Sequence, residues 1–251
     1  MGGSEGGREA MMMAQRYPAD YDGIVSIDPV MNWSGLQTFG NYVGGILQSR
    51  PGGWLNGKTR LVHDTVLSAC DALDGISDGV VSNCKTAADL ALAAKRCPSG
   101  ADEGAACFSD AQLAVVNAAH TGYTFTAQSP LTGLNYWDAV VAKMGRETVD
   151  QFFAAYVATG LPHTSGGINA GASNAPGYGI PGRVDLLAVL DNWVERGTKP
   201  ADQYALTNRK ALPPYEVEAS KPMCRYGSYP KFVGTGSASG SLAENYTCAP
   251  N

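Results

Sequence analysis

The hydrophobic pattern at the start of the chain predicts a turn, a helix and a strand, in that order. Apolar residues recur at helical spacing over residues 5–17, and Pro18 ends the pattern. Residues 24–27 form a short β-branched run before Asp28-Pro29, which is typical of a buried strand. Turn, helix and strand in this order predict half of a doubly wound α/β unit.

The regular hydrophobic pattern breaks down after the first strand and returns near the end of the chain. Residues 30–128 are rich in Gly, Asn and Ser, and their broken periodicity predicts an insert with short helices. A strong amphipathic pattern follows near the end, with Val184, Leu187, Leu190 and Val194 on one face and Gly197 as its stop. The predicted helices cover residues 59–69, 86–95, 109–119, 131–145, 146–156 and 183–197. Residues 152–157 fit either the end of a helix or a strand, and the tail predicts loops and short strands.

Charge and hydropathy exclude several protein classes. The 251 residues include 18 Lys and Arg against 23 Asp and Glu, a net charge of −5. That balance argues against a non-specific nucleic-acid-binding protein, which would carry a basic face. No apolar run approaches the length of a membrane span, so no membrane helix is predicted. Hydrophobic residues make up 44% of the chain and charged residues 16%, which excludes a wholly disordered protein.

The six cysteines indicate disulfides rather than zinc. No Cys-x-x-Cys pair occurs and no histidine lies at zinc-finger spacing, so an oxidising compartment is favoured. Six cysteines allow about 15 connectivities. The simplest is local pairing, because short loops close at little entropic cost: Cys70–Cys84, Cys97–Cys107 and Cys224–Cys248. Residue 1 runs directly into a glycine-rich turn without a signal peptide, so we expect sequence before it to be missing.

A candidate nucleophile lies in that glycine-rich turn. Residues 2–6 read Gly-Gly-Ser-Glu-Gly and fit the pattern G-x-S-x-G. A serine on a tight strand-to-helix turn needs a strained backbone and small neighbours. The helix N-terminus then directs its dipole at the reacting centre, and the backbone N–H of Glu5 is placed to donate to an oxyanion. The alternative is an ordinary glycine-rich turn that contains a serine.

The chain resembles the tannase/feruloyl esterase family over most of its length. The nucleophile region, Gly-Gly-Ser-Glu-Gly-Gly-Arg-Glu-Ala followed by Ala-Gln-Arg-Tyr-Pro-Ala-Asp-Tyr-Asp-Gly-Ile-Val, carries the first match. Further matches follow in the family's order at residues 70–80, 160–163 and 192–197 and in the tail with Cys224 and Cys248. The resemblance implies an α/β fold: a partial α/β-hydrolase core with an inserted disulfide-rich lid. Residues 1–30 would form core, 31–126 a reduced lid with a calcium loop, and 127–251 core.

The resemblance also implies an activity. Ser4 is similar to the family's nucleophile, and His163 lies where the family has its catalytic base. The expected reaction is hydrolysis of a small aromatic acid ester through an acyl-serine, in a secreted or periplasmic protein. His163 follows the serine in the chain, as the triad order of this fold requires. No prediction is made for the oligomeric state.

The chain departs from the family at several positions. Gly3 and Thr164 stand where the family has a disulfide-bonded cysteine pair, and the interval between Ser4 and His163 is short for the family's large lid. Residues 124–131, where the triad acid belongs, contain no Asp or Glu. Asp138 and Asp150 lie in helical patterns and are not assigned as replacements. Two alternatives therefore stay open: a non-catalytic calcium-binding, disulfide-stapled fragment, or another serine hydrolase.

An acidic loop predicts a calcium site. Asp71, Asp74 and Asp78 supply three carboxylates within a compact loop, and calcium prefers six to eight oxygen ligands. The family resemblance carries calcium onto these three residues together with the carbonyls of Ile76 and Val80. The expected role is structural, with Cys70–Cys84 closing the same loop. The alternative is a solvated acidic turn.

Overall fold

The computed structural model describes residues 1–84, 86–121, 133–161, 180–236 and 239–251. The chain divides into two compact units. The first comprises Met1–Met31, Asp74–Ser82 and Thr132–Asn251, and the second comprises Asn32–Leu73 and Asn83–Leu131. The segment Asp74–Ser82, which the sequence places in the lid, therefore groups with the first unit.

The described residues form helices and strands in the following bounds. The helices are α1 (Glu5–Arg16), α2 (Trp33–Ser49), α3 (Thr59–Cys70), α4 (Ala87–Ala94), α5 (Asp110–Thr121), α6 (Gly133–Met144), α7 (Arg146–Val149) and α8 (Leu186–Arg196). The strands are β1 (Gly2–Gly3), β2 (Ser26–Ile27), β3 (Tyr156–Val157), β4 (Gln203–Arg209), β5 (Val217–Arg225), β6 (Ser228–Phe232) and β7 (Tyr246–Pro250). Short 3-10 turns cover Asp71–Asp74 and Ala243–Asn245.

The first unit begins with a β1–α1–β2 crossover. The two strands pair in parallel, with Gly2 opposite Ser26 and Gly3 opposite Ile27. Glu5 in the first turn of α1 and Arg16 in its last turn both stabilise the helix, because their charges are opposite to the nearby ends of the helix dipole. The predicted turn, helix and strand are thus confirmed, although the strand is limited to Ser26–Ile27.

Antiparallel sheets form the rest of the first unit's core. Strand β5 pairs with β4 along its length and with β3 at its end, and β6 pairs with β7. The Cys224–Cys248 disulfide joins β5 to β7. Leu206, Ala219, Met223 and Tyr246 are buried between these strands. The tail is therefore more regular than the loops and short strands predicted from the sequence.

Two helical predictions need correction. The second of the adjacent helices, predicted over residues 146–156, ends at Val149, and the following residues lead into β3. Helix α8 is capped by the Asp185 side chain, which accepts from the Ala188 N–H at 2.9 Å, and Gly197 follows it in the left-handed region, as predicted. The predicted apolar face of α8 is wrong at Leu187 and Val194, which are exposed, and is confirmed at Leu190, which is half-buried.

The half-buried side of α8 instead carries Leu186, Val189, Leu190 and Trp193. Leu190 lies against Gly23, where a Cβ atom would be 2.8 Å from its Cδ1. Leu190 therefore belongs both to the predicted face and to the half-buried one, whereas Leu187 and Val194 belong only to the predicted face.

The second unit is helical and carries two disulfides. Helices α3, α4 and α5 are close to the predicted ones, and Cys70–Cys84 and Cys97–Cys107 join the segments that the local pairing names. Leu92 and Phe108 are buried in its core. Helix α2 was not predicted. Its first turn is capped by the Asn32 side chain, which accepts from the Gly35 N–H at 2.8 Å.

A buried polar network holds the loops of the second unit. The Lys58 ammonium donates to Asp102 Oδ1 at 2.7 Å, the Cys107 carbonyl at 2.8 Å and Gln112 Oε1 at 2.9 Å. The Gln112 amide donates in turn to the Trp54 carbonyl at 2.9 Å and to Asp102 Oδ2 at 3.0 Å. Contact with Lys58 lowers the pKa of the Asp102 carboxyl. Gln112 is fully buried, so each of its bonds replaces water that the folded chain excludes.

We expect Gln112→Ala to lower the free energy of unfolding by about 2–3 kcal/mol, because it leaves buried donors and acceptors without partners. Urea unfolding followed by tryptophan fluorescence measures the change. Gln48→Ala on the exposed side of α2 is the matched control and should change stability by less than about 0.5 kcal/mol. Equal changes in the free energy of unfolding for the two variants would contradict the view that the buried network stabilises the second unit.

A second prediction concerns the close approach of α1 to β2. A Cβ atom on Gly7 would lie 2.5 Å from the Ile27 carbonyl oxygen, whereas one on Gly6 would meet no heavy atom within 4 Å. Gly7→Ala should therefore destabilise the chain by about 1–3 kcal/mol through overpacking. Gly6→Ala should leave stability unchanged or raise it by up to about 1 kcal/mol. Indistinguishable urea midpoints for the two variants would show that α1 does not pack on β2 as described.

Candidate active site

Ser4 occupies the strained turn between β1 and α1. Its backbone has φ 57° and ψ −115°, a region that residues with a side chain rarely adopt. Such a conformation costs about 1–3 kcal/mol and persists only where the surroundings impose it. Here the Ser4 N–H donates to the Ile27 carbonyl at 3.0 Å, and the Ser4 carbonyl accepts from the Arg8 N–H at 3.1 Å. The turn that G-x-S-x-G predicts is therefore present.

The tight turn requires the glycines of the motif. A Cβ atom on Gly2 would overlap with the backbone of Gly6, so the strand can approach the helix start only without a side chain there. Gly7 is held equally close to β2. These contacts give a physical reason for the small residues on both sides of Ser4.

Glu5 begins α1, so its backbone N–H lies at the positive end of the helix dipole. The side chain of Glu5 accepts a hydrogen bond from Arg8 one turn later, through Oε1 and Nη2. The sequence analysis assigned no role to Arg8. Its spacing of three residues from Glu5 is the signal that identifies the pair.

The predicted base lies outside the described residues, and the two aspartates that were not assigned to the triad have other partners. His163, Thr164 and the stretch 124–131 fall outside the part of the chain that the structure describes. Asp138 accepts a hydrogen bond from the Tyr226 hydroxyl at 2.9 Å, and Asp150 accepts one from Arg146 at 2.7 Å. Both carboxylates therefore have structural partners.

The other two histidines have ordinary surroundings. His63 contacts Asp64 at 3.0 Å and His120 contacts Asp89 at 2.7 Å, and all four side chains are exposed to solvent. These are surface pairs of the second unit.

The predicted calcium loop contains two buried carboxylates of the first unit. Asp74 is fully buried and accepts from the Ile76 N–H at 3.3 Å through Oδ1. Its Oδ2 is also buried, and no described residue hydrogen-bonds to it. Burial raises the pKa of the Asp74 carboxyl, because removal from water disfavours the charged form.

Asp78 is paired with a lysine that sequence reasoning missed. Its Oδ2 accepts from Lys221 Nζ at 2.9 Å and from the Tyr246 hydroxyl at 3.1 Å, while Oδ1 accepts from the Val80 N–H at 3.0 Å. Asp78 and Lys221 are only 8% and 6% exposed, so the ion pair is buried. No local spacing reveals it, because Lys221 lies on β5.

The third predicted ligand, Asp71, is buried in the 3-10 turn and belongs to the second unit. Within the described ranges, no group of three or more His, Cys, Asp or Glu side chains is arranged to hold a metal ion. The three-carboxylate calcium cluster thus stays a prediction. The same part of the chain contains no helix with the length and apolarity needed to cross a membrane.

Sequence comparison connects the chain to known esterases. A mono(2-hydroxyethyl) terephthalate hydrolase of Piscinibacter sakaiensis is 31% identical over 195 residues, which are 70% of this chain and 31% of that protein. An uncharacterized esterase of Agrobacterium fabrum is 22% identical over 364 residues and aligns with 99% of this chain. The chain spans 63% of the length of that second relative.

Structural comparison gives the fold. Feruloyl esterase B from Aspergillus oryzae superposes with a TM-score of 0.70 at 20% identity, covering 99% of this chain and 68% of that one. Tannin acyl hydrolase from Aspergillus niger superposes with a TM-score of 0.68 at 17% identity, covering 99% and 63%. These neighbours have α/β-hydrolase folds, so the predicted fold class is confirmed.

A family model described as tannase and feruloyl esterase matches residues 1–128 and 126–249, nearly the whole chain. The match includes the strained turn at Ser4 and both segments that carry the buried Asp78–Lys221 pair. The chain belongs to the tannase and feruloyl esterase family.

Proposed function

We propose that this chain is a carboxylic ester hydrolase that acts through an acyl-serine intermediate on Ser4. The observation that carries the proposal is the backbone of Ser4, which is held at φ 57° between a strand and the start of a helix. That turn exposes a serine hydroxyl at a helix N-terminus, where negative charge is stabilised. An ordinary glycine-rich turn would not need this costly conformation at its serine.

The reaction begins with attack of Ser4 Oγ on the ester carbonyl carbon. The carbonyl π electrons move to oxygen, and the resulting oxyanion accepts a hydrogen bond from the Glu5 N–H. His163 takes the proton from Ser4 and returns it to the leaving alcohol as the tetrahedral intermediate collapses. Water then attacks the acyl-serine with the same base, which releases the acid and restores Ser4.

The proposed substrates are small esters of aromatic carboxylic acids. The names of the related proteins point to terephthalate, ferulate and tannin esters, which share an aromatic acyl group. The absence of Asp and Glu from residues 124–131 predicts slow turnover, because loss of the orienting acid costs about 10⁴-fold in a serine protease. The three disulfides and the family favour a secreted or periplasmic location.

Calcium would have a structural role in the proposal. The buried Asp74 Oδ2 lacks a hydrogen-bond partner among the described residues, and coordination to a hard cation would satisfy this oxygen instead. Asp78 and the carbonyls of Ile76 and Val80 would complete its ligands in the first unit. The family resemblance adds Asp71. No step of ester hydrolysis involves the ion.

We expect purified chain to hydrolyse methyl ferulate and a nitrophenyl ester of an aromatic acid in calcium-containing buffer. Ser4→Ala should reduce both rates to the level of buffer alone, because it removes the attacking hydroxyl. Ser26→Ala, which loses only a hydrogen bond to the Gly7 carbonyl, is the control for serine loss. A folded wild-type chain without turnover, or turnover that survives Ser4→Ala, would contradict the proposed function. The first result would favour the non-catalytic calcium-binding alternative.

The calcium proposal predicts a ligand-dependent stability. Saturation at about 100 times the dissociation constant should stabilise the wild type by about 2.7 kcal/mol, and Asp74→Asn should abolish that gain. In chelator the same variant should be at least as stable as the wild type, because it removes the cost of burying a carboxylate whose Oδ2 has no hydrogen-bond partner among the described residues. Thermal unfolding with and without calcium measures both effects, and Asp22→Asn in an exposed turn is the control. A calcium response that Asp74→Asn leaves intact would place the ion elsewhere.

A further inference from the structure

The residue after the proposed nucleophile presents an electrostatic problem. Glu5 supplies the oxyanion N–H from its backbone, yet its side chain carries a negative charge only a few bonds away. Negative charge develops on the substrate oxygen in the transition state, and a like charge nearby disfavours it. A glutamate at this position is therefore costly for the reaction unless its charge is neutralised.

Arg8 lies where it neutralises that charge. Its Nη2 donates to Glu5 Oε1 across one turn of α1, and its Nη1 contacts the Met12 sulfur at 3.7 Å. The guanidinium is thus held along the helix at both ends. The hydrogen bond to Glu5 also raises the pKa of Arg8. The guanidinium carries its positive charge at any working pH, with or without this bond.

The pair is partly shielded from water. Glu5 Oε2 and Arg8 Nε are both buried, and neither has a hydrogen-bond partner among the described residues. The side chains as a whole are 47% and 30% exposed, so solvent screens the charges incompletely. Loss of the arginine would leave the Glu5 carboxylate without this cation, in the same residue as the N–H that the proposal assigns to the oxyanion.

We propose that Arg8 is a positioning residue for the reaction at Ser4: it holds and neutralises the Glu5 carboxylate, so that the Glu5 N–H meets the oxyanion without a net negative charge beside it. The inference rests on the proposed function. It assigns a chemical role to an ion pair that would otherwise serve only the first turn of the helix.

The test compares single and double substitutions. Arg8→Gln should lower kcat for methyl ferulate about tenfold or more while KM changes by less than about threefold, because the repulsion is felt mainly when the oxyanion forms. Adding Glu5→Gln to Arg8→Gln should recover most of the loss, since it removes the uncompensated charge. High salt should also recover part of the rate of Arg8→Gln. Arg16→Gln, which removes the same charge from the other end of α1, is the matched control.

Several outcomes would overturn the inference. A purely structural ion pair predicts that the double variant is as slow as Arg8→Gln or slower, and that salt does not restore the rate. An unchanged kcat in folded Arg8→Gln would also show that the ion pair has no role in the reaction. Labelling of Ser4 by an alkyl fluorophosphonate provides a second readout of the same comparison. Absence of labelling and turnover in the wild type would instead reject the proposed function itself, so the two failures are distinct.

Discussion

The parallel pairing of β1 with β2 is the constraint on which the candidate site depends. It fixes the Ile27 carbonyl where it accepts the Ser4 N–H at 3.0 Å, and so holds Ser4 in a backbone conformation that an isolated turn would not keep. The same strand comes close enough to α1 to require glycine at position 7. The direction of α1 and the positions of the proposed oxyanion donor, Glu5, and the proposed nucleophile, Ser4, all follow from this packing arrangement, because each is within a few residues of the strained turn.

Charge compensation recurs in the first unit. At the start of α1 the Glu5 carboxylate is paired with Arg8, and in the predicted calcium loop the Asp78 carboxylate is paired with buried Lys221. A buried carboxylate without such a partner carries a large desolvation cost. Asp74 contrasts with both, since one of its oxygens is buried and receives no hydrogen bond from a described residue. That contrast is the physical basis for proposing a cation in this loop.

The sequence predicted those helices and turns that are determined by residues close together in the chain. The serine turn, α1, the helices of the second unit and the stop of α8 follow from periodicity and from single glycines. Helix α2 was missed because four glycines interrupt its pattern, although the Asn32 cap starts it.

Strand β5 was missed because Pro222 argues against a central strand. The structure accommodates it because β3 pairs only with Cys224 and Arg225, which leaves the backbone at Pro222 paired on one side. The Asp78–Lys221 pair joins distant segments, so no spacing rule could predict it.

The most direct test of this account is to locate the reactive serine by mass spectrometry. An alkyl fluorophosphonate is incubated with the folded chain in calcium, and the chain is then cleaved with trypsin. The first basic residue is Arg8, so the peptide of residues 1–8 contains Ser4 as its only serine. We expect one phosphonate adduct per chain, on this peptide, and none after prior heat denaturation. An adduct on another peptide, or equal labelling of folded and denatured chain, would contradict the claim that the strained turn makes Ser4 the nucleophile.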